Sequence, residues 1–172
     1  RKQQSDDKPA AACAPAGKNK TLICFSDNLD RAIATFILAN GAAATGSKVS
    51  IFFTFWGLNV IKKKHGPAVK KTLTEKMFAH MLPKSSDSLA LSKMNMMGMG
   101  SKMIRGIMKK KNIDSLESLI RQAMDNGVEF IACQMTMDMM GIKKEELLDG
   151  VTVGGVASYM QKAEEAGVNL FI

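Results

Sequence analysis

The chain has 172 residues, of which 46% are hydrophobic and 23% are charged, the size and composition of one globular domain with its own core. Its most apolar segment, Val49 to Ile61, is shorter than the roughly 20 residues of a membrane-spanning helix, and its three cysteines and two histidines lack the spacing of metal ligands. We therefore expect a soluble, cytoplasmic protein that holds no metal and no resident cofactor, although Phe55 and Trp56 leave contact with a membrane open as a minor alternative.

The formal net charge of +8 is concentrated in the middle of the chain. Between Lys62 and Lys111 there are thirteen Lys and Arg residues against two acidic residues, Glu75 and Asp87. A segment this basic attracts an anion, and we expect an acidic protein surface or a phosphorylated thiol rather than nucleic acid. A solvated surface without a specific partner explains the same charge equally well.

Residues 1–19 predict a tail or linker, because they are rich in Ala, Pro, Lys and Asp and show no periodicity. From residue 20 the pattern is that of a strand, a helix and a second strand. TLICFS is a short apolar run, Leu29, Ile33 and Phe36 recur at helical spacing, and KVSIFFTF is apolar almost throughout. This succession predicts a parallel sheet with a right-handed crossover.

The middle of the chain is less regular. GLNVIKKK and KTLTEKMFAHMLP are candidate helices, SLAL is a candidate strand, and SKMNMMGMGSKMIRGIMKKK is rich in Met, Gly and Lys without a clean period. All fourteen methionines lie between Met77 and Met160. Because methionine suits adaptable contact surfaces, we expect this segment to form a flap over the functional site or a subunit interface.

Regular patterns return after Lys111. NIDSLESLIRQAMDNG predicts a helix capped by Asp114, VEFIAC a strand, and QMTMDMM a short helix closed by Gly141. IKKEELL is a further helical piece, VGGVASYMQKAEEAG a longer helix, and VNLFI the last strand. For residues 20–172 we predict an α/β domain, a three-layer α/β/α sandwich around a mostly parallel five-stranded sheet.

Two cysteines fall at the ends of predicted strands, where sites form in open parallel α/β sheets. Cys133 closes VEFIAC and directly precedes a helix, whose first N–H groups and dipole favour a thiolate. A thiolate is a nucleophile and can carry an extra sulfur atom as a persulfide. We predict Cys133 as a catalytic residue and Cys24 as a second relay or resolving thiol; burial in the core is the competing interpretation for both.

The turn after the first strand is a candidate anion site. Ser26, Asp27 and Asn28 precede the first predicted helix, whose N-terminal N–H groups would face a phosphorylated cofactor there. The segment lacks the GxGxxG spacing of dinucleotide sites, and capping of the helix explains the same residues.

Five segments, taken together, are distinctive: FSDNLDRAIATFILANGAAATG, VSIFFTFWGLN, LSKMNMMGMGSKMI, IACQMTMDMMGIKKEELLDGV and VNLFI. They resemble the DsrE/DsrF-like sulfur-relay family, in particular its branch often labelled "peroxiredoxin family", related to DsrE-like domains fused to rhodanese or CoA-disulfide-reductase modules. The resemblance implies a homo-oligomer, a persulfide-carrying cysteine that matches Cys133, and rhodanese-like or TusA-like sulfur partners. The label peroxiredoxin does not transfer, because the T-x-x-C match from Thr21 to Cys24 has Gly17 where those enzymes have proline.

We accordingly predict a sulfur-relay protein in which Cys133 accepts sulfane sulfur from a donor persulfide and passes it to an acceptor thiol. A low-molecular-weight thiol such as coenzyme A is among the expected partners. The alternative is a non-catalytic oligomeric interaction module, in which the basic and Met-rich segments are docking surfaces and Cys133 is simply buried. The sequence leaves open whether the relay turns over as an enzyme or acts as a carrier.

Overall fold

The computed structural model describes residues 18–66, 69, 72, 75, 77 and 80–172. In this part of the chain five strands form one sheet: β1 (Asn19–Cys24), β2 (Val49–Phe53), β3 (Glu129–Cys133), β4 (Thr152–Gly154) and β5 (Ala166–Phe171). The α-helices described are α1 (Leu29–Ala44), α2 (Met99–Lys110), α3 (Leu116–Asp125), α4 (Gln134–Met140) and α5 (Val156–Glu164). None of these described helices is long and apolar enough to cross a bilayer.

The strands of the sheet are all parallel and lie in the order β4-β3-β2-β1-β5. Leu22 of β1 pairs with Ile51 of β2, which pairs with Phe130 of β3. Because crossovers between parallel strands are right-handed, three successive steps in one direction leave their helices on one face, and the return from β4 to β5 puts α5 on the other. The predicted three-layer α/β/α sandwich is confirmed.

The larger core lies between the sheet and the helices that follow β1, β2 and β3. Three fully buried rings stand at its centre: Phe36 lies 6.2 Å from Phe53 and 5.6 Å from Phe130, and the last two are 5.4 Å apart, centroid to centroid. Burying one such ring contributes about 1.5–3 kcal/mol, so this cluster fixes α1 on the sheet.

The opposite face of the sheet has a much smaller core. Its buried members are Phe52, Ile131, Cys133 and Tyr159, with Ile23 and Ala163 packed against them. Tyr159 and Ala163 come from α5, and no other described helix contributes to this cluster. The face is therefore thinly covered, and the side chain of Cys133 belongs to it.

One predicted strand is wrong and one strand was missed. SLAL, residues 88–91, forms no strand. Ser88 ends a short 3₁₀ turn, Ser86–Ser88, and its hydroxyl accepts from the N–H of Ser85 and donates to the carbonyl of Ser85. The strand that was missed is β4. Its three residues were predicted to belong to a loop and to the start of the following helix.

The Met-rich segment contains a helix that the sequence did not predict. In α2 the buried positions are Gly100, Ser101 and Met108, whereas Met99 and Met103 face solvent. Apolar residues recur at helical spacing in this helix, but the glycines within it and the methionines before it hide that spacing in the sequence.

The segment after β2 is a 3₁₀ helix, Phe55–Ile61, rather than the helix predicted for residues 57–64. Gly57 is required there, because its N–H donates to the carbonyl of Phe25 over 2.9 Å and an added Cβ would lie 2.0 Å from the carbonyl oxygen of Cys24. The helix predicted for residues 71–83 falls largely outside the described residues.

The cap of α3 is Ser115 rather than the predicted Asp114. The Ser115 Oγ accepts from the N–H of Ser118 over 3.2 Å, whereas Asp114 accepts from the side chains of Ser118 and Gln122. At the other end of the chain, β1 begins at Asn19, one residue into the predicted tail, and Cys13 lies outside the described residues.

Candidate functional site

Cys133 stands where β3 passes into α4, as the sequence predicted. It is the last residue of the strand and the N-cap of a seven-residue helix, which ends at Gly141 with a left-handed φ of 64°. Its side chain makes no capping hydrogen bond to α4. The backbone therefore puts the sulfur at the carboxyl edge of the sheet, the edge at which parallel α/β proteins form their sites.

The sulfur of Cys133 is covered. The residue is 1% exposed, and its side chain belongs to the cluster of Phe52, Ile131 and Tyr159, in which the rings of Phe52 and Tyr159 lie 5.1 Å apart. Reaction at Cys133 therefore requires this cluster to open. This cover was not predicted, because Tyr159 is 26 positions further along the chain than Cys133.

The cover is provided by α5, which follows two glycines. Gly154 of β4 pairs directly with Cys133, and Gly155 is the N-cap of α5. Tyr159 is held by a contact of its hydroxyl with the hydroxyl of Thr21 at 3.2 Å. An added Cβ at Gly155 would meet nothing within 4 Å, so the approach to the helix is uncrowded.

Cys24 sits in a different environment. It is 1% exposed within the larger core, and its Sγ donates to the carbonyl of Ser26 over 3.6 Å. Burial raises the pKa of the Cys24 thiol to about 12; a hydrogen bond with Thr35 opposes this rise, and the carboxylate of Asp27 adds to it. At neutral pH Cys24 is a thiol and a poor nucleophile.

The two cysteines are not brought together. Cys24 points to the face that α1 covers and Cys133 to the face that α5 covers, with β2 between their strands. Direct exchange between the two sulfurs would require both cores to open, so the geometry does not favour Cys24 as a resolving thiol for Cys133.

The turn before α1 is closed by its own hydrogen bonds. The Ser26 hydroxyl donates to Oδ1 of Asn28 over 2.6 Å, and the N–H of Asn28 donates back to Ser26. Asp27 accepts from the buried amide of Asn59 over 3.0 Å, and the first N–H of α1, at Leu29, donates to a carbonyl. Of the three cap candidates, Asn28 is the N-cap by position, but its side chain makes no capping hydrogen bond. These contacts leave this end of α1 poorly suited to an added anion.

The Met-rich segment presents thioethers to solvent. Met97 is fully exposed, and Met94, Met96 and Met99 are each at least two-thirds exposed. Across the described residues, no group of three or more His, Cys, Asp or Glu side chains is arranged to hold a metal ion.

Comparison with known sequences decides the family. The profile of the DsrE/DsrF/DrsH-like family matches residues 16–171. The chain belongs to this family. It is 50% identical over 155 residues to the uncharacterized protein YrkE of Bacillus subtilis, covering 90% of this chain and 97% of that protein. It is 37% identical over 156 residues to the sulfur carrier protein DsrE2 of Allochromatium vinosum, covering 90% and 98%.

Two solved structures share the DsrE-like fold at low sequence identity. The YchN protein of E. coli matches with a TM-score of 0.50 and 10% identity over 90% of this chain and 98% of its own. MTH1491 of Methanobacterium thermoautotrophicum, a protein of unknown function, matches with a TM-score of 0.52 and 13% identity over 90% and 99%. These likenesses concern the fold alone.

Proposed function

We propose that this chain is a sulfur carrier, in which Cys133 holds sulfane sulfur as a persulfide and passes it between thiol partners. The observation that carries the proposal is the 37% identity, over almost the whole of both chains, to a protein named as a sulfur carrier. The position of Cys133 at the carboxyl edge of the sheet supports it, because this edge is where the fold offers a reactive group to a partner.

The transfer is a substitution at sulfur. The Cys133 thiolate attacks the outer sulfur of a donor persulfide, a new S–S bond forms, and the donor leaves as a thiolate with the electron pair of the old S–S bond. In the second step an acceptor thiolate attacks the outer sulfur on Cys133 and restores the Cys133 thiolate. Neither step changes the overall number of electrons, so the relay needs no redox cofactor.

Donor and acceptor are thiols of the class found in sulfur relays. We propose rhodanese-like or TusA-like proteins, or a low-molecular-weight thiol such as coenzyme A, whose phosphates suit the basic middle of the chain. We also propose that the relay operates in the cytoplasm, where thiols stay reduced; Cys24 and Cys133 are both free in the described part of the chain.

The covered position of Cys133 makes access a step of the mechanism. The cluster around its sulfur has four buried members and one covering helix of nine residues. A region with so few buried contacts opens at a lower free energy than the whole domain unfolds. We propose that α5 moves aside when a partner docks and closes over the persulfide afterwards, shielding it from water and stray thiols.

Mass spectrometry after incubation with glutathione persulfide tests the carrier role. The wild-type chain gains one sulfur atom on the peptide that contains Cys133, and Cys133→Ser gains none there. Cys24→Ser and Cys13→Ser are matched controls and keep the adduct at Cys133. Undiminished loading of Cys133→Ser at another residue would remove Cys133 from the role.

The burial of Cys133 favours one alternative: a homo-oligomeric interaction module without sulfur chemistry. Alkylation of the folded protein with iodoacetamide separates the two functions. In a carrier, Cys133 is alkylated at urea concentrations well below those that unfold the protein, and the rate is set by local opening. The interaction module stays unmodified at Cys133 until global unfolding.

A further inference from the structure

The exposed side of α2 carries a row of apolar residues that nothing in the described chain covers. Met99, Met103 and Ile107 follow one another at intervals of four residues and are 67%, 54% and 41% exposed. The side of the helix that carries Gly100, Ser101 and Met108 packs on the domain. Three successive turns of α2 thus display apolar side chains outward, beyond the apolar side that an ordinary surface helix buries.

A row of lysines runs beside the apolar row. Lys102 and Lys109 are exposed and lie seven residues apart, which puts them on one side of α2, and Lys110 follows. No acidic residue occurs between Ser88 and Ile113. Within the described residues these lysines form no ion pair, whereas Arg105 is already bound to Glu117 over 3.1 Å. The positive charge of this row is available to a partner.

Gly106 lies between the two rows. A Cβ added there would meet nothing within 4 Å, so packing inside the domain does not require glycine. Glycine in the interior of an exposed helix costs about 0.5–1 kcal/mol relative to alanine. Its effect on the surface is a shallow notch between Met103 and Lys109, into which a side chain of another helix fits. We call the six residues the Met/Lys face: Met99, Met103, Ile107, Lys102, Gly106 and Lys109.

We propose that the Met/Lys face binds an acidic amphipathic helix of a partner protein. The apolar row of that helix lies on Met99, Met103 and Ile107, and its Asp or Glu residues reach Lys102 and Lys109. Methionine rows adapt to the apolar faces of partner helices, and the lysines select acidic ones. The inference rests on the partner docking proposed above and adds the chemistry of the partner; Cys133 takes no part in it.

Two other occupants fit the face less well. A second copy of the chain would bring two lysine rows together, which like-charge repulsion opposes. A lipid surface would match the charge, but the helices that lie in membrane interfaces use Trp, Phe and Leu as anchors, and the face has none of these.

Synthetic helical peptides test the charge requirement. One fluorescent peptide has leucine along one face flanked by glutamate, and its matched counterparts have lysine or glutamine in place of glutamate. Anisotropy with the full chain is expected to show binding of the glutamate peptide about tenfold tighter than the lysine peptide, and binding that weakens as salt is added. Equal affinity for all three peptides, or no binding of any, overturns the proposal.

Substitutions locate the binding face. Met103→Glu is expected to weaken the binding of the glutamate peptide about tenfold. The double variant Lys102→Glu, Lys109→Glu is expected to bind the lysine peptide more tightly than the glutamate peptide. Met160→Glu, an equally drastic change at an exposed methionine of α5, serves as the control and leaves binding intact. Affinities that do not respond to the α2 variants refute the assignment of the face. All variants are checked by circular dichroism.

Two further measurements distinguish the other occupants. If Met103→Glu abolishes flotation with phosphatidylglycerol vesicles, or abolishes concentration-dependent self-association, the face belongs to lipid or to a second copy and the proposal fails. Loading of Cys133 from glutathione persulfide does not involve α2. Failure of that loading therefore leaves the docking result standing, and failure of docking leaves the carrier role standing.

Discussion

Cys24 and Cys133 are equally buried but differ in what surrounds them. Cys24 sits in the large core beneath α1, whereas Cys133 lies in a cluster of four residues beneath a nine-residue helix. The free energy needed to expose a sulfur depends on how much structure must open with it. We therefore expect one cysteine to respond to local opening and the other only to global unfolding.

The raised pKa of Cys24 predicts a loss of stability at alkaline pH. The folded chain keeps the thiol up to about pH 12, while the unfolded chain ionises near the ordinary value of 9.0. Folding therefore binds a proton in this window, and the free energy of unfolding falls as the pH rises from 9 towards 12.

Urea titrations of the wild type and Cys24→Ala at about pH 7.5 and about pH 10 measure this loss. Above pH 9 the free energy of unfolding of the wild type is expected to fall, relative to that of the variant, by on the order of 1 kcal/mol per pH unit. A difference between the two proteins that stays constant with pH would show that Cys24 does not carry this linkage.

Gly57 predicts a second effect at the scale of one residue. Gly57→Ala puts a methyl group 2.0 Å from the Cys24 carbonyl oxygen, an atom of the backbone that cannot turn aside. We expect a loss of about 3 kcal/mol or more in the free energy of unfolding by urea. Gly41→Ala in α1, where nothing lies within 4 Å, is the control and is expected to gain about 0.5–1 kcal/mol. Similar values for the two variants would contradict the close contact.

At the scale of elements, the sequence predicted those whose apolar residues face the core. β2 and α3 are examples. Four of the five residues of β2 are buried, as the continuous apolar run predicts for a strand covered on both faces, and the buried residues of α3 recur at helical spacing. α2 escaped prediction because Gly100 and Gly106 lower its helix propensity and the methionines before it hide its apolar spacing. β4 escaped because three residues give no period, and because Gly154 and Gly155 also suit the start of a helix.

The junction at Cys133 was predictable and its cover was not. An apolar run followed by Gln134 and a closing Gly141 marks the passage from strand to helix in the local sequence. The contact with Tyr159 depends on the reversal of the chain between β4 and β5, which no local pattern encodes. Cys24 and Cys133 also point to opposite faces of the sheet, which depends on the register of their strands and could not be predicted locally.

The cover over Cys133 predicts how α5 controls reactivity. Tyr159→Ala removes the ring that packs on Phe52. Loss of such a ring destabilises a closed cluster by about 3–5 kcal/mol, so the free energy needed to open this cluster falls. In a Cys13→Ser background we expect the iodoacetamide rate at Cys133 to rise about tenfold or more.

Peptide mass spectrometry follows this rate. Met160→Ala, the exposed neighbour in α5, is the control and is expected to leave the rate unchanged. Tyr159→Phe, which loses only the contact with Thr21, should fall between the two. An unchanged rate in Tyr159→Ala would mean that α5 is not the barrier.

At the scale of the whole molecule, the two faces of the sheet are unequally stabilised. The large core ties α1, α3 and α4 to the strands, and the small core ties down α5 alone among the described helices. Native-state hydrogen exchange is expected to show amides of α5 opening at a lower free energy than those of β2 and α1. Exchange of all these amides at one common free energy would show that the domain opens only as a unit.

The pairing of β1 with β5 has a consequence for folding kinetics. Thr21 and Asn169, which share a hydrogen bond, are 148 positions apart in the chain. β1 pairs with β2 and β5, and its pairing with β5 closes a loop that contains nearly the whole chain. Closing so long a loop has an entropic cost that precedes any stabilising contact between the two strands. We therefore expect β1 to β4 to pair before β5 joins, and the residues of the last crossover to influence the rate of folding.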